Sequence, residues 1–184
     1  MKRGRIYLTL LCSLLFIGLA QGQYKGCSSN ERKNFSLESP KTWSNEVWKK
    51  SEKIYHKIIE HPFIQELANG SLDIEKFKCY LAQDEIYLGN YGRQMFKLVD
   101  MIEDSISKEM FRTFAKEGLE GEKSMHSLLI DRFKIDTAVN ASYVTIAYNA
   151  HSQKAIESGS KEVAMSALLP CMWIYNEVGL YILD

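Results

Sequence analysis

Past Thr42, apolar residues recur almost everywhere at helical spacing. No segment alternates apolar and polar residues as a half-buried strand must. That pattern makes an all-α fold the expectation. Trp43, Val47, Ile54, Tyr55 and Ile58 define a first helix over Thr42 to Ile59, which His61-Pro62 ends. A short turn of helix is expected at Phe63 to Leu67. Asn69-Gly70 then forms a turn, and Ser71 or Asp73 caps a long helix running to Ile102. A third helix is expected over Asp104 to Phe133, with Gly118 and Gly121 as the places for a kink. A fourth spans Ala138 to Ser158 and stops at Gly159. The fifth starts at Lys161 and is bent at Pro170.

The chain has 184 residues, which suits one domain, and its 46% hydrophobic content excludes a disordered chain. Formal net charge is zero, with Lys and Arg spread along the sequence, so no nucleic-acid partner is expected. Residues 1–22 have the pattern of an export signal. Lys2, Arg3 and Arg5 precede an apolar run from Ile6 to Ala20 that is shorter than a membrane span, and Ala20-Gln-Gly22 offers a cleavage site. An exported (periplasmic or secreted) and mildly acidic protein is therefore expected, with no stable membrane anchor once the signal is removed. An uncleaved anchor is the alternative. Residues 23–40 are a polar, aperiodic leader, and residues 41–184 form the helical domain. Cys12 leaves with the signal, so Cys27, Cys79 and Cys171 remain, an odd number that makes no disulfide framework.

Two helices carry candidate chemistry. On the second long one, Tyr80, Asp84, Tyr87 and Tyr91 form one stripe at i, i+4, i+7 and i+11. Phe77, Leu81, Leu88, Met95 and Phe96 lie beside it. A carboxylate on such a face needs hydrogen-bond partners. A structural Asp–Tyr pair satisfies that need. So does a pocket in which tyrosine rings stack on a flat aromatic ligand and the aspartate accepts from its amino group. On the last helix, Cys171 follows Pro170, and Tyr175 lies one turn further on the same face. A buried cysteine is ordinarily a small hydrophobe, and a nucleophilic one needs an activating neighbour and access to substrate. Glu122 and His126 sit at i, i+4. They read as a hydrogen-bonded pair, or as half of a di-metal site whose second half is not found. His56 and His151 are lone histidines. No phosphate loop, serine elbow or zinc cysteine pair is present.

Taken in order, His61-Pro62-Phe63, Glu66-Leu67, Gly70-Ser71-Leu72, Phe77, Tyr80-Leu81, Gln83-Asp84-x-x-Tyr87-Leu88, Glu122-x-x-x-His126, Tyr148-x-x-His151 and Ala167-Leu-Leu-Pro-Cys171-x-Trp-x-Tyr175-x-Glu-Val-Gly179 resemble the TenA/thiaminase II family. The resemblance implies a haem-oxygenase-like helical bundle that binds no haem, uses no metal or organic cofactor and assembles as a homotetramer. It implies hydrolysis of aminomethyl-pyrimidine breakdown products of thiamin, and in some members of thiamin itself, to hydroxymethyl-pyrimidine. In that scheme Cys171 matches the nucleophile and Tyr87 the tyrosine that engages it. Asp84 matches the carboxylate that holds the pyrimidine amino group, and Tyr148 and Tyr175 match pocket tyrosines. Members of the family continue through further helices that supply another tyrosine and a proton-donating glutamate. The chain is therefore expected to be C-terminally truncated, lacking the last helices of the bundle, and weakly active or inactive. A pyrimidine-binding protein without chemistry and a metal-dependent oxidase on the same fold are the alternatives.

Overall fold

The computed structural model describes residues 42–183. The expected signal peptide and the polar leader lie outside the described residues. Among those residues the all-α expectation holds: there are six helices and no strand. They are α1 (Trp43–Ile59), α2 (Pro62–Asn69), α3 (Ile74–Met101), α4 (Ser105–Phe133), α5 (Tyr143–Glu157) and α6 (Lys161–Leu183).

Local sequence explains most of the boundaries. Thr42 caps α1 by accepting from the Asn45 amide at 3.3 Å. His61 caps α2 through Nδ1, which accepts from the Phe63 amide, and Pro62 occupies the first turn, where its missing donor costs nothing. Gly70 closes α2 in the left-handed region at φ 77°, which favours glycine. The short turn expected at Phe63 to Leu67 is thus a two-turn helix. Asp73 caps α3 and Asp104 caps α4. The Gly118 and Gly121 positions interrupt nothing, and α4 is continuous.

The fourth expected helix is the main departure. It starts at Tyr143, not Ala138, because a long-range contact holds the preceding segment. The Gln83 side chain on α3 donates to the Asn140 carbonyl at 3.0 Å and accepts from the Ser142 amide at 2.8 Å and the Thr145 hydroxyl at 2.9 Å. Ser142 then caps α5.

Helix α3 is the axis of the bundle and packs against α4, α5 and α6, while α6 also packs on α1 and α5. Gly92 lies where α3 and α4 pack closely. A Cβ there would stand 3.0 Å from both methyl carbons of Leu119. By length and composition α6 is apolar enough to cross a membrane. Of its apolar window 22% is buried, and α6 packs against α1, α3 and α5.

The buried side chains form two clusters. One gathers Leu67, Phe77, Leu81, Met125, Leu129 and Val178. The other gathers Tyr87, Tyr91, Met95, Leu98, Ala164 and Leu168. Asp84 falls between them on α3, one turn from Leu81 and one from Tyr87, so the seam between the two clusters is polar.

Candidate active site

A cavity of about 640 Å³ opens where α1, α3, α5 and α6 meet. Asp84, Tyr87, Tyr148, Cys171 and Tyr175 all lie on its wall. The helical periodicity of α3 brings Tyr80, Asp84 and Tyr87 to one face. The one-turn separation of Cys171 and Tyr175 does the same on α6. Pro170 sits inside the continuous α6, where its ring removes the amide that would bond to the Ser166 carbonyl.

The thiol faces tyrosines. The Tyr87 hydroxyl is the neighbour that favours the Cys171 thiolate. Burial acts the other way, and the charges of Asp84 and Glu122 add to it, so the thiol is pushed up to about 12. Tyr87 is itself raised above the ordinary tyrosine range, by burial first and by the neighbouring Cys171 second. Its ring stacks on that of Tyr148, with centroids 5.3 Å apart and planes 10° from parallel. Tyr91 extends this aromatic wall, 5.7 Å from Tyr87.

Across the cavity the polar end is built around Asp84. The Tyr80 hydroxyl donates to Asp84 Oδ2 at 3.3 Å and shares a 3.0 Å hydrogen bond with the Tyr175 hydroxyl. Behind Asp84 lies His126 on α4, only 1% exposed, with Nε2 3.5 Å from Asp84 Oδ2. Its other nitrogen, Nδ1, donates to Glu85 Oε2 at 2.7 Å. No hydrogen bond closes on Nε2 among the described residues. Burial opposes the imidazolium, but Asp84 and Glu85 together outweigh it and raise the pKa of His126. Glu122, one turn before His126, is pushed up to about 7, chiefly by burial and then by the charge of Asp84.

The structure changes one pairing. His126 bonds to Glu85 across the helix interface and not to Glu122 on its own helix. Its nitrogens face two carboxylates. Among the described residues no group of three or more His, Cys, Asp or Glu side chains is placed to hold a metal. His56 is exposed on α1 and His151 on α5, apart from the cavity wall. Three contributors went unremarked as site residues in the sequence: Tyr80 as the link between Asp84 and Tyr175, Glu85 as the partner of His126, and Gln83 as the anchor of the α5 wall. Tyr80 stands in the same stripe as Asp84, which was a usable signal. The other two act across helices and leave no local pattern.

The cavity thus brings a thiol, a carboxylate and several tyrosine rings together inside an all-helical bundle. A sequence profile of the TENA/THI-4/PQQC family matches residues 48–184, and the chain belongs to that family. The chain is 29% identical over 123 residues to the aminopyrimidine aminohydrolase of Bacillus subtilis (strain 168), covering 65% of this chain and 52% of the relative. It is 30% identical over 139 residues to the thiamine biosynthesis multifunctional protein ThiED of Corynebacterium efficiens, covering 75% of this chain and 19% of that protein. The chain thus spans about half the length of the Bacillus relative and a smaller part of the Corynebacterium one. Among solved structures, a TenA homologue protein from P. horikoshii OT3 superposes with a TM-score of 0.70 at 28% identity, over 77% of this chain and 68% of that one.

Proposed function

We propose that this chain carries the cysteine and the carboxylate of an aminopyrimidine hydrolase of thiamin salvage that works through a covalent adduct at Cys171, with weak turnover from these 184 residues. One observation carries the reading: the Cys171 thiol, Tyr87 and the Asp84 carboxylate line one cavity walled by tyrosine rings. The relatives named for aminopyrimidine hydrolysis support the substrate class. Asp84 accepts from the ring amino group, and the stacked pair of Tyr87 and Tyr148 forms the aromatic wall beside the ring.

A thiol held near 12 is protonated at neutral pH, so it reaches the ring with its proton. The sulfur–carbon bond forms at a ring carbon while that proton passes to a ring nitrogen. Loss of aromaticity lets the aminomethyl group, an ammonium at neutral pH, release ammonia from the exocyclic methylene with the C–N bonding pair. Water adds to the methylene and gives its proton to the ammonia. Sulfur then departs from the ring as the ring proton returns to it. The net change is substrate and water to hydroxymethyl-pyrimidine and ammonium. Export on residues 1–22 and assembly of identical copies into a tetramer belong to the same reading.

Purified protein incubated with 4-amino-5-aminomethyl-2-methylpyrimidine should release the hydroxymethyl product, and Cys171→Ser should abolish release. Turnover that survives Cys171→Ser would remove the adduct from the reaction. A second reading, a pyrimidine-binding protein without chemistry, draws support from the same raised thiol. Calorimetric binding that persists in Cys171→Ser, with no product from the wild type, selects it.

A further inference from the structure

We propose that Glu85, His126 and Asp84 act as one carboxylate–imidazole–carboxylate relay, in which the doubly protonated His126 orients Asp84 toward the pyrimidine amino group and Glu85 orients His126. This role rests on the aminopyrimidine reading of the cavity.

Three observations point to it. His126 is 1% exposed, yet a buried imidazole at the interface of two helices is costly unless both nitrogens have work. Its Nδ1 is committed to Glu85 at 2.7 Å, while Nε2 is unbonded and aimed at Asp84 Oδ2 from 3.5 Å. Asp84 is held just as loosely from the other side, by Tyr80 at 3.3 Å. Both contacts are longer than a strong charge-assisted hydrogen bond, so the carboxylate has room to settle when its other oxygen is taken by a ligand. The line of groups runs from a half-exposed carboxylate, Glu85, through a buried ring, to a carboxylate on the cavity wall.

The imidazole can donate to both carboxylates only when protonated. Once neutral, it must turn a lone pair toward Glu85 or toward Asp84. The charged groups acting on it are Asp84 and Glu85 from α3 and Glu122 from its own helix. Cys171 and Tyr175 from α6 reach the cluster only through Asp84 and Glu122. Orientation of Asp84 should therefore weaken as pH rises through the His126 titration. Glu85→Gln removes one of the charges that raises that titration, so the weakening should begin at lower pH.

The test uses two independent readouts on the full chain. The first is an NMR titration of the His126 imidazole, which needs no substrate. Its midpoint should lie above the ordinary histidine value and fall in both Glu85→Gln and Asp84→Asn. The second is the pH dependence of KM and kcat for the aminomethyl-pyrimidine. Glu85→Gln should raise KM about tenfold at neutral pH, the size expected when one charge-assisted hydrogen bond is lost, and shift the alkaline limb to lower pH. His126→Gln should remove that limb. An unchanged His126 midpoint in both carboxylate variants, or an unmoved limb in Glu85→Gln, overturns the relay. A wild-type protein that neither binds nor hydrolyses the pyrimidine overturns the hydrolase reading instead, and the NMR titration still decides whether Glu85 and Asp84 together hold the second proton on His126.

Discussion

Tyr87 and Tyr148 stack almost face to face, 5.3 Å apart at 10°, and Tyr87 shares the cavity wall with Cys171, whose thiolate it favours. One side chain therefore belongs both to the aromatic wall and to the thiol. Tyr87→Phe separates the two roles, because the ring stays and the hydroxyl goes. Among the described residues Tyr87 is the neighbour that lowers the Cys171 pKa, so without its hydroxyl the thiol should rise further. Alkylation of Cys171 by iodoacetamide should become slower at every pH tested. Hydrolysis should fall by about 10–100-fold, the scale of one hydrogen bond to a charged group. Thermal stability should change little.

Gln83 pins the start of α5 through three hydrogen bonds of 2.8 to 3.0 Å. Gln83→Leu leaves the Asn140 carbonyl and the Ser142 amide without that partner. A loss on the order of 1–3 kcal/mol is expected in urea unfolding. Hydrogen exchange should quicken at Ser142 well before the α3 core, which places the damage in the 140–145 segment.

Glu122 gives stability a pH dependence with a definite sign. Its folded pKa, about 7, lies above the ordinary 4.5, so the folded state holds this proton more tightly than the unfolded chain. Its contribution is fully present below 4.5 and fades as pH climbs toward 7. His126 is also raised, and its contribution is lost as pH rises through its own folded titration. Glu122→Gln should therefore stabilise the protein at pH 8, on the order of 1–3 kcal/mol, and do little at pH 4. Unfolding midpoints across that range decide it.

Leu81 is 0% exposed and sits next to the polar seam. Leu81→Ala should cost about 2–5 kcal/mol by denaturant unfolding. If the protein stays folded, Asp84 loses lateral support, and affinity for the pyrimidine should drop as well.

Much of this architecture was legible in the residues. Apolar spacing located every helix, and Thr42, Asp73 and Asp104 behave as ordinary caps. The stripe of Tyr80, Asp84 and Tyr87 and the Cys171–Tyr175 pair fall on the one cavity wall because helical periodicity puts them there. What stayed hidden depends on contacts between helices. The late start of α5 follows from Gln83, nearly sixty residues earlier in the chain. The pairing of Glu122 with His126 was the natural local choice, yet the shorter contact runs from His126 to Glu85 on another helix. Spacing within one helix carries no information about which neighbour faces it.

The two hydrophobic clusters meet at Asp84, and the cavity straddles their junction. A ring held between Asp84 and Cys171 would fasten α3 to α6 across that junction, much as a rivet joins two plates. Its binding energy would then be shared by both halves of the bundle, raising the melting temperature and slowing exchange in each. Ligand occupancy would be readable as rigidity far from the ligand itself.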